Sequence, residues 1–221
     1  MDIYPVSNGF STAYLVVDGG SAMLVDASSE SIAPKVLAKL AEARAELRLI
    51  VLTHYHFDHV GAAGPLREAT GAPVAIHRLD ADPLRRGGAL RLHPNRPLGH
   101  VMAPIFSRGV KAPVTPDLEF GDEEDLGGHG GFGRSFWTPG HTAGSQSVRL
   151  PDGTVLAGDA LSAGFPPSRA ERPMFADDVA ASRASIVAIA DAAGRDVRIA
   201  HFGTVGAPSV ARLAARNRPA G

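Results

Sequence analysis

The chain of 221 residues contains no cysteine. That removes disulfides, thiolate nucleophiles and every cysteine-bearing zinc site, so a metal here has to be held by histidine, aspartate or glutamate. Long apolar runs are missing too. No stretch approaches the ~18 consecutive apolar residues needed to span a bilayer, so no membrane role is expected. The N-terminal Met1-Asp2-Ile3-Tyr4-Pro5 has neither the basic region nor the apolar core of a secretory leader, and a cytoplasmic location is the default expectation. Nor is there a basic excess. Lys+Arg number 22 against 23 Asp+Glu, a formal net charge of −1, which does not mark a nucleic-acid binder.

What is present fits one globular domain spanning 1–221 with a substantial core. The 25 glycines and 17 prolines imply many turns and short strands. Residues 12–27 read as a β-hairpin turning at Asp18-Gly19-Gly20. A helix follows to about Ala45, with Ile32, Val36, Leu37 and Leu40 on one face. Residues 47–53 form a short apolar run of buried parallel-strand type that ends at His54. A helix at 62–70, a strand at 73–77, a loop at 121–133 and a strand at 135–138 come next. A second hairpin at 146–158, a helix at 178–193, a strand at 197–200 and a short basic helix at 208–217 complete the reading.

Residues 83–116 stand apart. Six prolines sit among Leu90, Leu92, Leu98, Val101, Met102, Ile105 and Phe106, with no sustained period. Leu98, Val101, Met102, Ile105 and Phe106 include the spacings of one short helix face. The expectation is a lid over a cleft; the alternative use of the same side chains is a homodimer interface.

The two hairpins share a plan. Residues 15–27 and 148–160 each end their second strand in an aspartate, Asp26 or Asp159. Each is followed by a helix, a short strand and a histidine, His54 or His201. The chain reads as two related β-β-α-β halves whose strand ends face one place.

The sharpest motif is His54-Tyr55-His56-Phe57-Asp58-His59. Three imidazoles and a carboxylate on one short loop after a buried strand suit Zn, Fe or Mn. They are too many for one tetrahedral ion with an open position, so two neighbouring ions are expected. Further on stand Thr138-Pro139-Gly140-His141-Thr142-Ala143-Gly144-Ser145, then Leu156-Ala157-Gly158-Asp159, then Ile199-Ala200-His201. Each places a lone His or Asp at a strand end or a glycine-pinned turn.

With these segments in this order, the sequence resembles the metallo-β-lactamase-fold hydrolases over about residues 10–205, in the branch that includes glyoxalase II-like thioesterases and lactonases. The resemblance implies an α/β fold of the four-layer αβ/βα sandwich type. It implies two divalent ions, zinc first, with iron or manganese as alternatives. His54, His56 and His141 would hold one ion, Asp58, His59 and His201 the other, and Asp159 would bridge them. Asp26 matches an acid that orients the metal loop, followed here by Ala27-Ser28 where a small residue and glycine are more usual. The implied chemistry is attack of a metal-bridging hydroxide on an ester, thioester, lactone or amide, with Asp58 a candidate to protonate the leaving group. The substrate is expected to be a small molecule with an apolar portion.

Persulfide dioxygenases share the fold and use one iron held by residues matching His54, His141 and Asp159, so an iron oxidoreductase is the rival enzyme class. A non-catalytic metal-binding or sensing protein is the third. Glyoxalase II carries a C-terminal helical extension that helps hold glutathione. The short sequence after His201 is an expectation against glutathione thioesters. His77, His93, His100 and His129 are expected on the surface or in loops. Tyr55 and Phe57 are expected to pack around the metal loop. Arg169 and Arg172 are candidates to meet a substrate carboxylate.

Overall fold

The computed structural model describes residues 1–87, 92–106, 113–165 and 167–218, the side chains of Ile105 and Phe106 excepted. The chain opens with β1 (Asp2–Ser7), β2 (Thr12–Asp18), β3 (Ser21–Val25), α1 (Ala33–Ala43) and β4 (Glu46–Val51). The one-turn α2 (Phe57–Val60), α3 (Ala63–Thr70), β5 (Val74–His77), α4 (Arg78–Arg86), α5 (Pro97–Phe106) and β6 (Leu118–Phe120) follow. Next come β7 (Glu123–Asp125), β8 (Arg134–Trp137), β9 (Gln146–Arg149), β10 (Val155–Leu156), β11 (Ser162–Ala163) and β12 (Ala170–Glu171). The described chain ends with α6 (Val179–Ala192), β13 (Val197–Ile199), β14 (Gly203–Val205) and α7 (Ala207–Ala215).

Among the described residues the strands form two six-stranded sheets, ordered β1-β2-β3-β4-β5-β6 and β14-β13-β10-β9-β8-β7, and a small β11–β12 pair. Alternation along each strand decides the layering. Ala13, Leu15 and Val17 of β2 face the outer helices, packing with Val36 and Leu40 of α1, Leu66 of α3 and Leu84 of α4. Tyr14 and Val16, the alternate residues, meet Val148 and Leu156 of the other sheet. On the far side Val155, Val197 and Ile199 pack on Ile186 and Ile189 of α6 and Val210 and Leu213 of α7. Three buried clusters thus separate four layers, an αβ/βα sandwich. A bulge makes this work in β4. The register shifts between Ala22 and Met23, which pair with Leu47 and Leu49. Leu47 therefore joins the helix side and Leu49 the inter-sheet side, although strict alternation would point both the same way.

Several elements differ from the sequence reading. Residues 78–86 form α4, whose Ala81 and Leu84 are buried in the outer core. The part of 83–116 that reaches a cleft therefore starts later, within 92–106. Leu90 lies outside the described residues. Residues 123–125, expected in a loop, are the edge strand β7. Leu37 is 37% exposed rather than on the buried face of α1.

The halves repeat in topology. β3 pairs parallel with β4, and β10 pairs parallel with β13. The cross-links are reciprocal. The first residue of β2, Thr12, donates its N–H to the carbonyl of Ala200, just before His201, at 2.9 Å. The first residue of β9, Gln146, donates its N–H to the carbonyl of Thr53, just before His54, also at 2.9 Å. Each hairpin thereby fixes the strand end that carries the other half's histidine.

Candidate metal centre

Seven side chains meet where the two halves face each other. His54 follows β4, His56 caps α2, and Asp58 and His59 ride on it. His141 sits on the 138–145 turn, Asp159 follows β10 and His201 follows β13. Ligand-type atoms lie within 4.8 Å of one another in three groups: His54, His56 and His141; His54, His59 and Asp159; Asp58, His59 and His201. The shared members, His54 and His59, join them into one cluster.

Hydrogen bonds behind the cluster fix which nitrogen faces inward. His141 Nδ1 donates to the carbonyl of Phe175 at 3.0 Å, and His201 Nδ1 to the carbonyl of Phe10 at 2.8 Å. His59 Nδ1 donates to Asp26 Oδ2 at 2.8 Å. Thr53 spends its hydroxyl proton on Asp26, at 2.9 and 3.0 Å, so at 3.1 Å it accepts from His54 Nδ1. All four imidazoles engage Nδ1 behind the cluster and turn Nε2 to the centre, the orientation a metal ligand needs. His56 is turned the other way, with Nδ1 3.0 Å from His141 Nε2. Two ring nitrogens that close require a shared proton or a common electrophile.

Buried polar atoms normally have partners. Here His54 Nε2, His59 Nε2 and Asp159 Oδ1 make no hydrogen bond. All three point into the cluster, and all are good donors to a divalent cation. The residues present fit divalent metal.

The electrostatics divide the cluster. Burial and the neighbouring imidazoles hold His54 and His56 well below the usual histidine range. Burial also opposes the charged form of His59, but Asp26, Asp159 and Asp58 outweigh it and push His59 up to about 9. His201 goes up likewise, against burial, through Asp159 and Asp58, whose carboxylate oxygens lie 3.5 and 3.2 Å from its Nε2. Both carboxyls stay well down, Asp159 through His201 and His59, and Asp58 through His59 and His201. The site keeps two negative charges in a buried place.

Local sequence explains the precision. Asp26 sits in the left-handed region, φ 62°, to present its carboxylate to Thr53 and His59. Ser28 stands there too, φ 42°, where the resemblance has glycine; its Oγ lies 2.7 Å from Ser11 Oγ. A Cβ on Gly158 would lie 2.4 Å from Thr53 Oγ1, so glycine is required for the Asp159 turn to touch the Asp26–Thr53 pair.

One residue escaped the sequence reading. Asp80, on α4, is 1% exposed. Its carboxylate accepts from Thr142 Oγ1 at 2.7 Å, Gly144 N at 2.8 Å and Tyr55 N at 3.3 Å. It ties the first histidine loop to the His141 turn, and burial raises its pKa to about 6. Nothing in the charged run Arg78–Arg86 signals this. His77 differs from expectation as well. It is fully buried, caps α4 by accepting from Leu79 N at 3.3 Å and stacks on Trp137. His93 and His129 pair with Asp177 and Glu124 near the surface. Arg169 is taken up by Glu171 at 3.0 Å, and neither it nor Arg172 lines the cavity described next.

A cavity of about 520 Å³ opens over the cluster. His56, Asp58, His141, Asp159 and His201 form its floor. Its walls include Phe57, Leu92, Leu98, Met102, Met174 and Phe175.

The family model described as Metallo-beta-lactamase superfamily matches residues 6–201. The chain belongs to the metallo-beta-lactamase superfamily. A hydroxyacylglutathione hydrolase from Cereibacter sphaeroides (strain ATCC 17025 / ATH 2.4.3) is 33% identical over 152 residues, 68% of this chain and 48% of that protein. The probable metallo-hydrolase YqgX of Bacillus subtilis (strain 168) is 27% identical over 168 residues, 72% of this chain and 70% of that protein. Among solved structures, TTHA1623 in a di-iron-bound form superposes with a TM-score of 0.72 at 26% identity, covering 96% of this chain and 98% of that one. The chain spans about half the length of the hydroxyacylglutathione hydrolases it matches. No helix among the described residues is long and apolar enough to cross a membrane.

Proposed function

We propose that this superfamily member is a metal-dependent hydrolase of an ester, thioester, lactone or amide in a small molecule with an apolar portion. One observation carries the reading: the Nε2 atoms of His54 and His59 and Oδ1 of Asp159, none of them hydrogen-bonded, converge in the cluster over which an apolar cavity opens. His54, His56 and His141 would hold one divalent ion, Asp58, His59 and His201 a second, with Asp159 between them. When bound, such a pair supplies an acidified water and a Lewis-acid contact for a carbonyl oxygen. The chain does the rest. The carbonyls of Phe10 and Phe175 and the Asp26 carboxylate hold the imidazole lone pairs in place, so little reorganisation is needed. The apolar walls exclude bulk water and strengthen every charge interaction at the floor. Asp58, on the cavity floor, is placed to move a proton toward a leaving group. The group formed by Asp58, His59 and His201 supports two ions over the one of an iron oxygenase, and zinc, iron and manganese all suit the donors.

The test is a hydrolysis screen over thioesters, lactones and β-lactams, with metal content and oxygen uptake measured on the same preparation. Hydrolysis with close to two ions per chain is expected, and Asp159→Ala should lower kcat/KM at least about a hundredfold while the fold survives. Oxygen uptake with one iron per chain, or near wild-type turnover in Asp159→Ala, would overturn the reading.

A further inference from the structure

Apart from the cluster itself, the cavity has polar side chains at only two lining positions, Arg96 and Ser162. Arg96 is the charged one. It is half-buried, and no carboxylate pairs with it among the described residues. Its backbone is firmly held. Neighbouring Asn95 bonds Met174 O through its N–H at 2.8 Å and Pro173 O through Nδ2 at 3.2 Å. Gly99 N donates to Arg96 O at 2.9 Å, and a Cβ on Gly99 would lie 2.9 Å from Met174 O. The backbone that carries the Arg96 side chain is therefore held in place on the wall. It also stands directly before α5, at the positive end of a ten-residue helix, where a second positive charge is unfavourable without an anion.

We infer that the substrate is amphiphilic: an apolar group seated among Leu92, Leu98, Met102 and Phe175, and an anionic group, carboxylate or phosphate, held by Arg96. This rests on the hydrolase reading for where the reacting carbonyl lies, at the cluster. The planar guanidinium matches either anion in a two-point contact. The cavity then reads three features at once: a carbonyl at the floor, apolar bulk on the α5 wall and a negative charge at Arg96.

The experiment compares binding of 6-phenylhexanoate, 6-phenylhexanamide and 5-phenylpentyl phosphate by titration calorimetry, using metal-loaded wild type, Arg96→Met and Arg96→Lys. Wild type should prefer the acid or the phosphate over the amide by about tenfold, the worth of one charge-assisted contact in a half-buried site. Arg96→Met should bring the two within about twofold with the amide's affinity and the metal content unchanged, and Arg96→Lys should keep part of the preference. Whichever anion binds more tightly to wild type identifies its source. An anion preference that survives in Arg96→Met places the negative group on the metal centre and overturns the proposal, as does no preference in wild type. Should the Met variant fail to fold, full wild-type discrimination in Arg96→Lys counts against a two-point contact. A second arm measures hydrolysis of mono-4-nitrophenyl adipate and 4-nitrophenyl hexanoate; Arg96→Met should raise KM for the first alone. Calorimetric discrimination with no ester, thioester, lactone or amide turned over would sink the hydrolase reading and leave the anion contact at Arg96 standing.

Discussion

Asp26 shows how a residue outside the ligand set governs it. Its carboxylate takes the proton of His59 Nδ1 and the hydroxyl and N–H of Thr53, and Thr53 in turn sets the tautomer of His54. Asp80 does comparable work from the opposite side, joining Tyr55 N to Thr142 and Gly144. Its raised pKa, about 6 against an ordinary 3.8, has a definite sign. The folded state holds the proton more tightly than the unfolded one, so this group favours folding at low pH and the benefit fades as pH rises through 6. Between pH 5 and 7 metal-free wild type should therefore lose about 1.4 kcal/mol relative to Asp80→Asn in urea titrations. A difference that does not change with pH would mean the three donors keep Asp80 ionised throughout. Gly140 makes a second residue-scale case. At φ +128° a Cβ would lie 2.3 Å from Ser182 N, at the start of α6. Gly140→Ala should cost about 3 kcal/mol or more, read as a fall in the urea midpoint, and a loss below about 0.5 kcal/mol would show that the turn can move.

At the scale of elements, the metal motifs were legible because each is local. A loop of six residues carries four of the seven proposed ligands, and the His141 and Asp159 turns announce themselves by their glycines. The hairpins and buried strands were legible by alternation. What stayed hidden depends on tertiary context. α4 carries Pro83 and a mostly charged face, and Ala81 and Leu84 are its only buried apolar side chains. β7 is the acidic edge of its sheet, where charge blocks further pairing. β1 is an edge strand that tolerates Pro5. The segment 92–106 ends in α5, of which Leu98 and Met102 line the cavity while Val101 is 67% exposed. It is seated on 173–177 by the Pro94–Phe175 bridge and the His93–Asp177 pair at 2.8 Å. Phe175 also accepts from His141 Nδ1, so the wall and a proposed metal ligand share one support. Met102→Ala should raise KM for substrates with a large apolar group about tenfold, from lost burial of roughly 1.5 kcal/mol, with kcat and metal content unchanged. An unchanged KM together with an altered oligomeric state would assign α5 to an interface between copies instead.

For the whole molecule, the reciprocal bonds from Thr12 to Ala200 and from Gln146 to Thr53 mean that neither half completes its own end of the centre. Tyr14 adds a third tie, donating its hydroxyl from β2 to Ile199 O at 2.8 Å, and burial pushes its pKa to about 12. The proposed ligands divide the same way, with His54, His56, Asp58 and His59 in the first half and His141, Asp159 and His201 in the second. Ions at that seam would bind only when both halves are folded and apposed, so their binding free energy would be folding free energy. At a free metal concentration about 100 times Kd, the folded state should gain about 2.7 kcal/mol per site. Removing metal by chelation should lower the urea midpoint by a corresponding amount and leave a single transition, because the inter-sheet core of Val16, Met23, Leu49, Val148 and Leu156 still couples the halves. Asp159→Ala should show a smaller gain from added metal than wild type, each measured against its own metal-free midpoint. Two separated transitions after chelation would mean that the ions, rather than the core between the sheets, hold the halves together.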